Sequence, residues 1–199
     1  MKLLLFLLLA LNLIAADNKY SVRLAVGQPT LNSAADIAIG DFGSTRSDLR
    51  AYNLDGGYLL VKDLFDWPID LYLKGGLTYY EESIQNDVYG ADIYIKAYYN
   101  FDFWKNRVRF GFGEGASYTS RILEIEQIDA VSHNDNNSHY LNYLDVSLDF
   151  DLGKLIRYEK LHETYIGVLL KHRSGIFGTI NNVRHGGSNY ESIYIEKNF

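Results

Sequence analysis

Hydrophobic and polar residues alternate along most of the chain, with the period of two that is typical of β-strands whose faces meet different environments. Between Ala91 and Trp104, apolar residues occupy the odd positions, whereas the even positions include Asp92 and Lys96. The runs with this pattern are 19–27, 48–62, 67–81, 89–103, 107–120, 139–153, 163–174 and 188–199. They predict an all-β fold of eight strands. A tilted strand needs about 9–11 residues to cross a bilayer, and most of the runs are this long.

The segments between these runs alternate in length. Long connections are predicted at 28–47, 82–88, 121–138 and 175–187, and shorter ones at 64–66, 105–106 and 154–162, the last with some extra structure of its own. Antiparallel barrels of the outer membrane have short periplasmic turns and longer outer loops. The alternation therefore predicts an eight-stranded antiparallel transmembrane β-barrel with both termini at the periplasmic end.

The polar strand faces carry charges of both signs, which could pair across a narrow barrel interior. These residues are Lys74, Asp92, Lys96, Asp102, Arg107, Arg109, Asp145, Asp149 and Asp151. Aromatic residues near strand ends predict two interfacial girdles: Tyr79, Tyr80, Tyr98, Tyr99, Phe101, Phe103 and Trp104. The alternative is a secreted soluble barrel or sandwich, in which the apolar face points inward. We favour the membrane barrel.

The first sixteen residues, MKLLLFLLLALNLIAA, place one lysine before an apolar run and end in two alanines. This pattern predicts a secretory signal peptide over 1–16 and a single barrel domain over 17–199. A membrane-anchor helix is the weaker alternative, because Asn12 interrupts a run already shorter than about 20 apolar residues. The protein is thus expected in the cell outer membrane.

Composition narrows the chemistry that the chain can perform. Cysteine is absent, which excludes disulfides, thiolate metal sites and a cysteine nucleophile. The formal net charge of -6 gives no basic footprint for nucleic acid. The histidines outside the seventh run lack metal-ligand spacing, and we expect no metal and no cofactor; they are His133, His139, His162 and His185.

The seventh run places a histidine and a serine on one strand face. Ile166, Val168, Leu170, His172 and Ser174 share this face. An imidazole beside a hydroxyl is the minimum for an activated nucleophile. On the adjacent eighth run, either Asn189 or Glu191 could orient the imidazole. In the predicted topology this candidate site lies at the outer end of the barrel.

With the H-x-S motif of His172 and Ser174, the chain resembles the outer-membrane lipid A 3-O-deacylases of the PagL type, and the pattern of HRSG at 172–175 and GGSN at 186–189 indicates a divergent branch. Weaker resemblance runs through KYSVRLAVG, GGLTYYEE, FGFGEGASYTS and LNYLDVSLDF. The resemblance implies a carboxylic ester hydrolase acting on lipid A of lipopolysaccharide in the outer leaflet, with Ser174 as nucleophile and His172 as base.

The chain departs from that family at two positions. Gly175 stands where the family has an asparagine that helps form the oxyanion hole, and Asn189 stands where it has the catalytic glutamate. Glu191 is the nearest carboxylate on the same face. Glu114, between lipid-facing aromatics of the fifth run, is a further candidate. The alternative function is a non-catalytic barrel with a structural or adhesive role.

Overall fold

The computed structural model describes residues 18–30, 32 and 48–199. Its strands are β1 (Tyr20–Thr30), β2 (Arg50–Val61), β3 (Ile69–Glu81), β4 (Val88–Phe103), β5 (Asn106–Thr119), β6 (Tyr140–Asp151), β7 (Thr164–Ser174) and β8 (Ser188–Asn198). Two α-helices, α1 (Glu124–Ser132) and α2 (Leu152–Ile156), and two 3-10 turns, Leu64–Asp66 and Glu159–Leu161, lie in the connections. The predicted signal peptide over 1–16 and most of the predicted loop 28–47 fall outside the described residues.

Each strand pairs antiparallel with the next, and β1 pairs with β8 to close the sheet. At the seam, the backbones of Tyr20 and Phe199 exchange two hydrogen bonds of 2.9 Å. The predicted eight-stranded antiparallel barrel is confirmed, and the predicted strand ends differ from the observed ones by three residues or fewer. The largest difference is at β1, which continues through Pro29 to Thr30.

The distribution of side chains is inverted relative to that of a soluble barrel. The outer surface of the strands carries exposed apolar residues, including Leu54, Leu77, Ile93, Phe112, Val168 and Ile193. The alternating residues that point inward are buried, and many of them are charged. A soluble barrel would bury its apolar face, so this arrangement identifies a transmembrane barrel.

The barrel interior is filled by a connected network of ion pairs. Fully buried Arg23 donates to Asp55 at 2.7 Å and to Asp145 at 2.7 Å, and Lys96 also pairs with Asp145. Arg109 holds Asp149 through two hydrogen bonds, of 2.9 and 2.8 Å. Buried charges are tolerated only when paired and hydrogen-bonded, and these groups meet that condition.

Replacement of Arg23 is expected to destabilise the barrel. An Arg23→Met variant leaves the Asp55 and Asp145 carboxylates facing each other without their shared cation, at a cost of about 3–5 kcal/mol in the free energy of unfolding. The control is Arg107→Met at the barrel rim, where the pair with Asp102 is partly exposed and contributes about 1 kcal/mol or less. Urea unfolding in detergent measures both variants. Equal midpoints for Arg23→Met and wild type would contradict the assigned role.

Two pairs of residues do not lie where the sequence predicts. Tyr80 and Tyr98, expected in the aromatic girdles, are fully buried inside the barrel, since they alternate with the half-buried Tyr79 and the exposed Tyr99. Asp102 and Arg107, expected in the interior, pair at 2.7 Å at the rim, where β4 and β5 meet their turn and the barrel opens.

The long and short connections lie at opposite ends of the barrel. Both termini of the barrel lie at the short-connection end, with 62–68, 104–105 and 152–163. The expected extra structure in the last of these is present as α2 and a 3-10 turn. We call the opposite end, with 82–87, 120–139 and 175–187, the long-loop end. Among the described residues, no helix is both long and apolar enough to cross a membrane.

Candidate functional site

His172 and Ser174 lie on the outer face of β7, near the long-loop end. Their neighbours in sequence, Lys171 and Arg173, are buried inside the barrel, which fixes the direction of the alternation. Across the sheet, His172 lies opposite Leu144 of β6 and Asn189 of β8. The structure thus brings together three of the four residues that the sequence singled out, and Glu191 follows Asn189 on the same face.

A short hydrogen bond joins His172 to Asn189. The His172 Nδ1 and Asn189 Oδ1 atoms are 2.6 Å apart, and Asn189 Nδ2 donates to the Asn32 carbonyl oxygen at 2.9 Å. Because the Asn32 carbonyl accepts the NH₂ group, the amide oxygen must face the imidazole. The oxygen can only accept, so Nδ1 carries the proton and Nε2 keeps its lone pair. This tautomer is the one that a general base requires.

The Ser174 hydroxyl follows His172 on the same face. Two residues along a strand are separated by about 7 Å between Cα atoms, a distance that two facing side chains can span. No hydrogen bond between them is present in the described part of the chain. Such contacts are often long without substrate and shorten when substrate binds.

Gly175 begins the segment after β7, and its lack of a side chain is required by the fold. A Cβ atom there would lie 2.1 Å from the Val183 carbonyl oxygen. Segment 175–187 folds back on itself through this contact and through the hydrogen bond from the Ile180 N–H to the Gly175 carbonyl oxygen, at 2.9 Å. An asparagine at 175 does not fit this backbone.

The interior neighbours of the site attach it to helix α1. Arg173 and Ser188 are register partners on β7 and β8, and both donate to Glu126 Oε1, at 2.9 and 2.8 Å. Arg173 also donates to the His139 carbonyl oxygen at 3.0 Å. Sequence reasoning did not identify this cluster, because α1 lies in a segment read as a loop. The feature of the sequence that could have indicated it is the position of Glu126 among the apolar residues Leu123, Ile125 and Ile128, which is typical of a helix with a buried face.

Segment 175–187 is docked onto segment 120–139 by carboxylates that accept backbone hydrogen bonds. Asp135 Oδ2 accepts from the His185 N–H at 2.6 Å and from the Arg184 N–H at 3.0 Å. Asp129 Oδ2 accepts from the Gly186 N–H at 2.6 Å. The segment that follows Ser174 is therefore held in place beside the site.

Asp135→Ala is expected to loosen this docking. Its charge-assisted bonds disappear, and hydrogen exchange at the Arg184 and His185 amides should accelerate about tenfold. The control is Asp66→Ala at the opposite end of the barrel, which should leave these amides unchanged. Exchange mass spectrometry in detergent measures the effect, and unchanged exchange in Asp135→Ala would contradict the docking role.

The pH dependence of docking follows from the same contacts. Backbone donors, chiefly the His185 N–H, hold the pKa of Asp135 below its ordinary value of 3.8. A carboxylate with a lowered pKa in the folded state contributes its stabilisation above its ordinary pKa and loses it as the pH falls through the folded value. Docking should therefore persist at neutral pH and weaken only in strong acid.

Two carboxylates share the outer face with His172. Glu191 lies opposite Leu170 of β7, and its Oε1 atom is buried without a hydrogen-bond partner among the described residues. Glu114 is exposed on β5 opposite Leu144, which in turn lies opposite His172. Glu114 interacts electrostatically with His172 across this intervening residue. A carboxylate is therefore within electrostatic reach of the imidazole.

Asp129, His133 and His185 form a cluster of metal-ligand type in the long-loop end. Their ligand atoms lie within 4.8 Å of one another, although the sequence spacing gave no metal signal. The two imidazoles are stacked, with centroids 3.9 Å apart and planes 8° from parallel. Their lone pairs therefore do not converge on one point, and His133 Nδ1 is already 2.9 Å from the Asp129 carbonyl oxygen. In this conformation the cluster joins the two segments.

No family model matches the sequence, and no curated protein matches it. Solved structures do resemble the fold. The outer membrane enzyme PagL superposes with a TM-score of 0.61 at 14% identity, over 90% of this chain and 99% of PagL. Neisserial surface protein A (NspA) superposes with a TM-score of 0.51 at 12% identity, over 93% of this chain and 99% of NspA. The chain therefore has a fold like that of PagL, shared also with a surface protein.

Proposed function

We propose that this protein is an outer-membrane esterase that removes an ester-linked acyl chain from lipid A, the membrane anchor of lipopolysaccharide. The observation that carries the proposal is the hydrogen bond from His172 to Asn189, next to Ser174 on the lipid-facing surface. The chain reaches this membrane after cleavage of residues 1–16. With the termini periplasmic, the long-loop end and the site lie at the outer leaflet, where lipid A resides.

The proposed reaction is acyl transfer followed by hydrolysis. His172 Nε2 accepts the Ser174 hydroxyl proton as the serine oxygen bonds to the ester carbonyl carbon. The tetrahedral intermediate collapses, the sugar alkoxide leaves and takes the proton from His172, and the acyl group stays on Ser174. Water, deprotonated by His172, then attacks the acyl carbonyl carbon, and the bond to Ser174 Oγ breaks as this oxygen takes the proton back from His172, which releases the fatty acid and restores the free enzyme. Asn189 holds the imidazole in the required tautomer throughout.

The lipid-facing position of the site defines the substrate class. An acyl chain in the outer leaflet can lie along the apolar outer face of β7, formed by Leu170, Val168 and Ile166, with its ester near Ser174. A soluble substrate would not reach this surface through the membrane. The barrel itself is not a pore, because its interior is filled by paired side chains. The geometry needs no metal or cofactor.

The alternative is a non-catalytic barrel with a structural or adhesive role in its outer loops. The fold similarity to a surface protein favours it, as does the absence of a hydrogen bond between His172 and Ser174 in the described structure.

The two functions differ in whether the protein releases fatty acid from lipopolysaccharide. Purified protein in detergent is incubated with lipopolysaccharide, and released fatty acid is measured with Ser174→Ala as control. Release by wild type alone supports the esterase, and no release by folded wild type favours the alternative.

A further inference from the structure

The proposed acyl transfer creates a negative charge on the ester carbonyl oxygen, and this oxyanion needs hydrogen-bond donors. At position 175, directly after the nucleophile, a side-chain donor is sterically excluded. The Cβ of any residue other than glycine would meet the Val183 carbonyl oxygen at 2.1 Å. The backbone N–H of Gly175 remains, so a second donor has to come from a neighbouring element.

Asn142 of β6 is the direct register partner of Ser174. Its neighbours Leu141 and Tyr143 point into the barrel and are fully buried, so the Asn142 side chain is on the outer face with Ser174. Directly opposed residues in an antiparallel pair have Cβ atoms about 4.5–5.5 Å apart. The amide of Asn142 is thus within reach of a carbonyl group attacked by Ser174.

The environment of Asn142 differs from that of the other outward residues of β6. Asn142 is 9% exposed, whereas Leu148 on the same face is 38% exposed. Its amide nevertheless makes no hydrogen bond to any residue that the structure describes. The amide nitrogen and oxygen themselves remain accessible, so a substrate group can reach these free donors on a face that otherwise presents apolar groups to lipid.

We propose that Asn142 is the side-chain oxyanion donor of this esterase, an inference that rests on the proposed function. As Ser174 Oγ bonds to the carbonyl carbon and its proton moves to His172 Nε2, the carbonyl π pair moves to oxygen. The Asn142 Nδ2–H and the Gly175 N–H donate to this oxygen. When the intermediate collapses, the pair re-forms the carbonyl and the alkoxide leaves with the proton from His172. The donor thus comes from the neighbouring strand.

The test compares kcat and KM of purified variants on lipopolysaccharide in detergent. Asn142→Ala should lower kcat about 100-fold or more with KM little changed, because the donor acts on the charge that develops in the transition state. Asn142→Asp keeps the size of the side chain and removes the donor, so it should lose as much activity. Val146→Ala, on the same strand and face, is the control and should keep full kcat. Migration of unheated samples on gels verifies that each barrel is folded.

The outcomes separate this inference from the proposed function. An active wild type with a defective Asn142→Asp supports the oxyanion role, since a purely steric role would tolerate this isosteric change. An active wild type with full kcat in Asn142→Ala overturns the role of Asn142 and leaves the esterase intact. A folded wild type without activity overturns both.

Discussion

Ser174→Ala is expected to abolish ester hydrolysis while the barrel remains folded. The hydroxyl is the proposed nucleophile, and no other described group on this face can replace it beside His172. Because Ser174 lies on the outer face and not in the packed interior, its loss should leave the free energy of unfolding within about 0.5 kcal/mol of wild type. Fatty acid release and urea unfolding measure the two effects.

His172→Ala should also inactivate the enzyme, with a fall in rate of about 100-fold to 10,000-fold, because the serine then lacks its general base. The double variant should be no less active than the more defective single variant, since the two residues act as one unit. Independent, multiplying losses for the two substitutions would contradict the proposed pairing.

Asn189→Ala and Glu191→Ala are expected to differ sharply. The Asn189 amide holds the His172 tautomer, so its removal should lower kcat about 100-fold or more. Glu191 makes no hydrogen bond to His172 in the described structure and is the matched control on the same strand and face, two residues along. Its substitution should leave kcat close to wild type. Steady-state kinetics of fatty acid release measure both variants.

The opposite ranking, with Glu191→Ala defective and Asn189→Ala active, would assign the orienting role to Glu191. Full activity in both variants would show that neither residue completes the site. Glu114→Gln extends the comparison, because Glu114 acts on the imidazole by charge rather than by a hydrogen bond. A smaller loss than in Asn189→Ala is expected there.

The barrel could be predicted from the sequence because the two faces of its strands meet opposite environments. The alternation along β4, from Ala91 to Phe103, records this contrast at nearly every position. The pattern fails at the rim, where Asp102 occupies a position that alternates with outward residues, as interior residues do, but its side chain is exposed to solvent. It also fails for Tyr80 and Tyr98, because an aromatic side chain suits both the interface and the barrel interior, where Tyr98 hydrogen-bonds to Lys74 and Tyr80 packs against Tyr190.

The spacing of residues along single strands predicts which side chains of the site share a face, but it does not predict which residues of neighbouring strands lie opposite one another. The alternation of side chains along β7 places His172 and Ser174 on one face, and the order of the strands places Asn189 and Glu191 of β8 beside them. The choice between these two residues depends on the register of β7 against β8, which the length of segment 175–187 leaves undetermined in the sequence. The opposition of Asn142 and Ser174 depends in the same way on the register of β6 against β7.

The mass of lipid A in cells that carry this protein shows whether the protein removes an acyl chain from it. Lipid A is extracted from matched cells that express wild type, Ser174→Ala or no protein, and its mass spectrum is recorded. We expect a loss of one acyl group, seen as a mass decrease of one hydroxyacyl chain, in cells with wild type only. An identical spectrum in all three cell types, with wild type folded in the outer membrane, would contradict it.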